Sequence, residues 1–247
     1  MTTSKRSVED APLNAFHRKL TVYSAGGPFL DGYVLSIIGV AMLQITHALQ
    51  LSAFWEGLIA ASALIGVFLG GFLGGWFTDK FGRKVLYLVD LIAIVGFSVA
   101  QFWVESAWAL FAWRLVIGIA VGADYPIATS LLAEFLPRKQ RGPLLAAMVL
   151  MWFAGAAVAY VVGELLLRMG GDDGWRRVLA SALLPGVLFL IARSGTPESP
   201  RWLLSKGRKA EADAVIKKVY GPDYSIADLP EQSSGKPVAL WSLFHSG

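Results

Sequence analysis

Two aspartates stand where water is scarcest. Asp124 interrupts the run VIGIAVGADYPIATSLL (residues 116–132) and Asp31 the run GGPFLDGYVLSIIGVAM (residues 26–42), each otherwise free of formal charge. Desolvation favours the neutral form of a carboxyl group. Carboxyl groups in apolar surroundings are therefore suited to taking up a proton on one side of a barrier and releasing it on the other. Asp124 lies ten residues from Arg114 and ten from Glu134, about 15 Å from each along a helix. Asp31 sits at a comparable depth, with Tyr33 as a candidate hydrogen-bonding neighbour. An aspartate at the centre of a membrane helix costs about 2.5–3.5 kcal/mol, so both are expected to face protein or a water-filled cavity. The plainer alternative is a carboxylate neutralised by a buried partner, for which Arg114 is the candidate.

The elements that must hold these residues are long and apolar. Of 247 residues, 55% are hydrophobic and 16% charged, and the mean hydropathy is +0.55; a soluble domain carries about 25% charged residues. Apolar residues gather in six runs, at 20–47, 55–77, 85–103, 108–136, 143–167 and 178–192, most of them long enough to cross roughly 30 Å of hydrocarbon as helices. A soluble helical protein would break each run with a polar face every turn. The fold class expected is an all-α membrane protein of six transmembrane helices, with short cytoplasmic helices after them. There is no cysteine, and His17, His47 and His245 are too scattered to form a ligand cluster, so neither metal nor cofactor is expected.

The formal charge is +4, but the basic residues sit in short loops between the apolar runs, a pattern of membrane topology rather than of nucleic-acid binding. The leader, the 79–84 loop, the 137–141 loop and the segment after the sixth run carry nearly all of them. Arg168, Arg176 and Arg177, partly offset by Asp172 and Asp173, are the exception on the other side. The balance places both termini in the cytoplasm and the chain in the cell membrane. No cleavable signal peptide is read in the polar first twenty residues. Three regions follow: a leader at 1–19, a bundle at 20–192, and a cytoplasmic tail at 193–247 of amphipathic helices and linker, ending before a seventh span. Gln44, His47 and Glu56 read as interfacial, Asp90 as hydrated or paired, and Trp103, Trp108, Trp175 and Trp202 as interface anchors.

Three stretches carry a recognisable pattern. In GWFTDKFGRK (75–84) Asp79 lies just past a helix end, Gly82 permits a tight reversal, and Arg83 and Lys84 hold the next helix end on the basic side. The fourth run begins RLVIGIAVG (114–122) and ends EFLPRKQRG (134–142), and TPESPRWLL (196–204) follows the sixth. Gly118 and Gly122 offer a face for close helix packing, and Pro126 frees a backbone carbonyl beside Asp124. By these motifs and their order, the chain from Leu20 onward resembles the major facilitator superfamily, in its sugar-porter and metabolite–proton symporter branches. The part resembled is the amino-terminal six-helix half of a twelve-helix transporter.

That resemblance implies a secondary transporter coupling proton entry to uptake of a small polar organic solute such as a sugar, polyol or organic acid, by rocking of two bundles about a midplane site. It implies a gate at Asp79 and Arg83, and a switching charge network of Glu134, Arg138, Arg141, Glu198 and Arg201. The alternative for these residues is a solvated ion-pair surface worth about 0–1 kcal/mol per exposed pair. GADYP is most similar to the phosphate–proton symporters, which implies Asp31 and Asp124 as proton-site residues and Tyr125 as a substrate contact, with Arg114 in proton handling. Trp152 stands where that branch has a glutamine; an indole offers one donor and a large apolar face, pointing away from phosphate. Tyr33 completes the candidate substrate contacts; its DGY resembles the opening of aromatic-acid symporters, which carry another aspartate where Val34 stands. Partners implied are the solute and a proton, the lipid bilayer, and a second six-helix half from another copy or another chain; no nucleic acid is expected. A non-transporting scaffold and inorganic phosphate as solute stay open as alternatives. An enzyme is not expected, since no nucleophile–base constellation, phosphate loop or metal spacing occurs.

Overall fold

The structure, a computed structural model, describes residues 7–230. The linker SSGKP and the closing WSLFHSG, which bear on the expected end before a seventh span, lie outside the described residues. Among those residues the chain is helical throughout, without strands. Long helices α1 (Ala15–Leu49), α2 (Ala53–Phe81), α3 (Arg83–Ala100), α4 (Ala107–Phe135) and α5 (Arg138–Gly170) are followed by the shorter α6 (Gly174–Ala180), α7 (Leu183–Ser194), α8 (Pro200–Ser205) and α9 (Lys209–Tyr220). In hydrocarbon every backbone N–H and C=O must be satisfied within the segment, which leaves the helix as the only conformation for such runs. Asn14 caps α1 reciprocally with His17, and Ser106 caps α4 by accepting from the Ala109 N–H. Gly82, at φ +99°, makes the single-residue reversal between α2 and α3 that a side chain would strain.

The sixth crossing differs from the single run expected at 178–192. It is a broken helix, α6 then α7, meeting at Ser181 and Ala182. Pro185 supplies the reason: it has no N–H for the Ser181 carbonyl four residues back, and its ring crowds that carbonyl. The Leu184 N–H bonds that oxygen instead, at 3.3 Å. Together α6 and α7 turn back from α5 to pack on α1 and α3, and α7 continues to Ser194, two residues past the expected end. Trp175, expected at the interface, is fully buried in the core with Ile37, Ile45 and Leu110.

Lipid tails are as apolar as leucine, so helices associate by close contact rather than by burying apolar surface from water. The most extensive seam joins α2 to α4. A Cβ on Gly118 would stand 2.0 Å from the Ala63 carbonyl oxygen, and one on Gly66 2.3 Å from that of Leu115. On the second seam, between α1 and α5, a Cβ on Gly155 would meet the Phe29 oxygen at 1.8 Å. At the basic end α9 docks on the bundle: the Asn14 side chain donates to the Val219 carbonyl (2.6 Å), and the Tyr220 hydroxyl to that of Phe135 (2.8 Å). Gly118→Val should therefore lower stability by at least about 1–3 kcal/mol, read as a lower unfolding midpoint in detergent. Gly96→Val, where an added Cβ meets nothing within 4 Å, should stay within about 0.5 kcal/mol of the unaltered chain.

Candidate functional site

Inside the bundle, toward its basic end, one guanidinium binds several helices. Arg193, on α7, is fully buried and forks onto Asp124 of α4, with Nη1 2.9 Å from Oδ1 and Nη2 3.1 Å from Oδ2. The same Nη1 donates to the Tyr87 carbonyl of α3 (3.2 Å) and lies 3.7 Å from Oδ2 of the buried Asp90. Its carbon sits 3.9 Å from the centre of the Tyr87 ring, a cation–π contact. The Tyr87 hydroxyl in turn shares a 2.7 Å hydrogen bond with Ser24 of α1. Gly27 of α1 makes the arrangement fit, because a Cβ there would fall 1.9 Å from Arg193 Nη2 and 2.2 Å from Asp124 Oδ2. Two parallel charge-assisted hydrogen bonds fix geometry as well as energy.

Asp124 is therefore not the unpaired carboxylate the sequence leads one to expect, and its partner is Arg193, not Arg114. Arg114 is buried on α4 and instead donates to the Val34 carbonyl at 3.3 and 3.4 Å. Asp31 is the buried carboxylate left over. It is fully enclosed, and neither oxygen has a hydrogen-bond partner among the described residues. Gly27, Asp31 and Val34 are spaced four and three apart on α1, so they share one helix face. Asp31 thus sits between the Arg193–Asp124 pair at one turn and the Arg114 contact at the other.

Tyr125 and Trp152 line one cavity of about 280 Å³ together with Asp124, Pro28, Met148 and Phe153, between α1, α4 and α5. No lysine or arginine is among the residues that line it. Tyr33 does not join them: its hydroxyl bonds Ser181 Oγ at 2.6 Å rather than Asp31, and it lines a different cavity, beside α6 and α7. Gln44 accepts from the Trp175 N–H (3.0 Å) and donates to the Gly171 carbonyl (3.2 Å), so it ties α1 to the α5–α6 turn.

At the basic end Arg83 pairs with Glu134, which also accepts from the Ser199 hydroxyl. Glu198 caps the start of α3, accepting from the backbone N–H groups of Arg83 (3.1 Å) and Lys84 (3.1 and 3.2 Å). Arg141 and Arg201 both approach Glu9 of the leader, at 3.2 and 3.9 Å. Arg138 is exposed and makes no ion pair among the described residues, and Asp79 is exposed, with its carbonyl engaged by the Trp202 indole at 3.3 Å and its carboxylate near enough to Arg83 to act on its charge. The charge network thus gathers Arg83, Glu134, Arg141, Glu198 and Arg201, with Asp79 at its edge beside Arg83, but not Arg138. Arg193, Glu9 and Gly27 escaped the sequence reading. One signal was available: Asp31, Asp90 and Asp124 inside the apolar runs outnumber Arg114, and that imbalance calls for a second buried cation.

These geometries meet in a known architecture. Residues 19–235 match the Sugar (and other) transporter family, and the chain belongs to that family of the major facilitator superfamily. It is 46% identical over 229 residues to YaaU of Escherichia coli (strain K12), covering 92% of this chain and 51% of that one. It is 42% identical over 246 residues to the inner membrane metabolite transport protein YgcS of the same organism, covering 100% and 55%. The proton:xylose symporter XylE, solved with 6-bromo-6-deoxy-D-glucose bound, superimposes with a TM-score of 0.79 at 27% identity over 84% of this chain and 50% of that one. The chain thus spans about half the length of the curated relatives it matches. Those relatives are transport proteins, not enzymes, and the fold is that of the amino-terminal half of such a transporter.

Removing Arg193 while leaving its carboxylates should be costly, since a lone buried charge costs about 3–5 kcal/mol once its partner is deleted. Arg193→Met is expected to lower the unfolding midpoint markedly. Arg193→Met combined with Asp124→Leu should recover part of that loss. Equal midpoints for the single and double variants would show that the pair is not the source of the effect.

Proposed function

We propose that the chain forms one bundle of a proton-coupled symporter for a small polar organic solute such as a sugar, polyol or organic acid, working by alternating access in the cell membrane with both termini in the cytoplasm. The observation that carries this reading is Asp31, a fully buried carboxylate on α1 without a hydrogen-bond partner among the described residues. A buried charge is tolerated where a partner or a proton balances it. Asp31 takes the proton, and Arg114, which meets α1 at the Val34 carbonyl three residues on, is assigned the answering charge when the proton leaves. Asp124 acts with Arg193 as the fixed post against which α1 moves, a positioning role rather than the proton-carrying one.

Tyr125 and Trp152 are the solute contacts on this wall. The absence of a cationic side chain in the lining argues against inorganic phosphate, because a phosphate deprived of water needs arginine, lysine or a bound cation. The Arg83–Glu134–Ser199 cluster and the Glu198 cap form the cytoplasmic gate. They join α3, α4 and α8 at one point, so a shift of any one of them breaks bonds to the other two. Asp79, on the exposed side of that gate and without a salt bridge among the described residues, is placed to reach a second six-helix half, supplied by another chain or another copy.

In a complete transporter containing this bundle, uptake should rise as the outside is acidified and fall as it is made alkaline. Asp31→Asn should abolish that pH dependence and reduce gradient-driven accumulation by about 10²-fold or more, the scale on which a positioned acid–base group acts. Counterflow of solute without a proton gradient should survive. Accumulation that keeps its pH dependence in Asp31→Asn would overturn the coupling assignment.

A further inference from the structure

The three arginines at the end opposite the basic loops are left over from the transport reading. Two have partners: Arg168 pairs with Glu164 at 2.8 Å, and Arg176 donates to the carbonyls of Phe102 and Val104 at 2.8 and 2.6 Å while lying over the Trp175 ring. Arg177 is exposed and has neither a hydrogen bond nor an ion pair among the described residues. It stands at the rim of a cavity of about 540 Å³.

That cavity lies on the α7 flank of the α1–α5 seam, whereas the Tyr125–Trp152 cavity lies on the α4 flank. Its wall is built from Phe29 of α1, Val158, Val162 and Leu166 of α5, and Leu183 and Leu184 of α7. The Pro185 break opens it, by ending α6 before α7 begins. Its two hydroxyls, of Tyr33 and Ser181, bond each other, and the Ser181 hydroxyl donates to the Val178 carbonyl at 2.6 Å, so neither O–H is left as a donor for a polar solute. Around it α7 presents Leu184, Val187, Leu188 and Ile191 outward, the surface of a helix that meets hydrocarbon. Arg177 follows the polar turn Gly171–Asp173 by four residues, which sets its guanidinium at the boundary between lipid tails and water.

We propose that this cavity is a binding site for one membrane glycerophospholipid, with an acyl chain in the slot and the headgroup phosphate on Arg177. The volume falls within the range of about 300–1,000 Å³ typical of small-ligand sites. A guanidinium matches phosphate in charge and in the planar fork of its donors. A chain held there wedges α5 from the α6–α7 break and fills a gap that side chains leave open.

The test reads the intact mass of the full chain, released from mild detergent in the gas phase after incubation with palmitoyl-oleoyl phosphatidylglycerol. One retained phospholipid per chain is expected. Arg177→Gln should cut the retained fraction about tenfold through loss of charge-assisted bonds to phosphate, and Val162→Trp should cut it by filling the slot. Arg168→Gln, whose partner is Glu164, should retain lipid as the unaltered chain does. Retention unchanged in Arg177→Gln, or no retained phospholipid on the unaltered chain, would overturn the proposal. Since Arg177 is exposed, its variant folds whether or not Val162→Trp does.

Discussion

Burying a guanidinium inside a membrane bundle is tolerable only if its charge and its donors are met there, and the Arg193 site meets most of them with groups from different helices. The Asp124 carboxylate comes from α4, the Tyr87 ring and carbonyl from α3, and the clearance from Gly27 of α1. Moving α4 and α7 apart separates charges that hydrocarbon cannot resolvate. The rest of the bundle is arranged to let them meet. The glycine seams bring α2 onto α4 and α1 onto α5, and the Pro185 break lets α7 start from its own direction.

With Asp124 occupied, the electrostatics of the core turn on a surplus. The buried charged groups among the described residues include Asp31, Asp90 and Asp124 against Arg114 and Arg193, so three carboxylates face two guanidiniums. One proton restores neutrality. Of the three, Asp124 has a bidentate partner, Asp90 accepts from the Leu91 N–H at 2.7 Å, lies near Arg193 and meets the Asp124 carboxyl, and Asp31 has no hydrogen-bond partner among the described residues. The group without competing bonds is the one whose proton can come and go without dismantling the frame. That is why the proton assignment rests on Asp31.

Much of this was legible in the residues. Long apolar runs located the crossings, and the 75–84, 114–142 and 196–204 motifs located the loop and the charge cluster at the basic end. What stayed hidden depended on long-range geometry. Arg193 follows the apolar run by one residue, so hydropathy ended the sixth span before it, although the helix carries it inside. Trp175 looked like an interface residue because it neighbours Asp172, Asp173 and Arg176, yet the turn after α5 folds it inward onto α1. Glu9 lies in a polar leader with no local signal, and only the return of that leader to the basic end brings it to Arg141 and Arg201. Tyr33 is two residues from Asp31, and a helix points such neighbours apart, which sequence proximity alone conceals.

The account stands or falls on which carboxyl group carries the proton. Infrared difference spectra of the chain in lipid, recorded between acidic and alkaline pH, read the C=O stretch that only a protonated carboxyl group gives. The account predicts a buried protonated-carboxyl band that disappears in Asp31→Asn and persists in Asp124→Asn. A band that survives Asp31→Asn and is lost in Asp124→Asn would contradict it, and would return the proton to the aspartate that Arg193 holds.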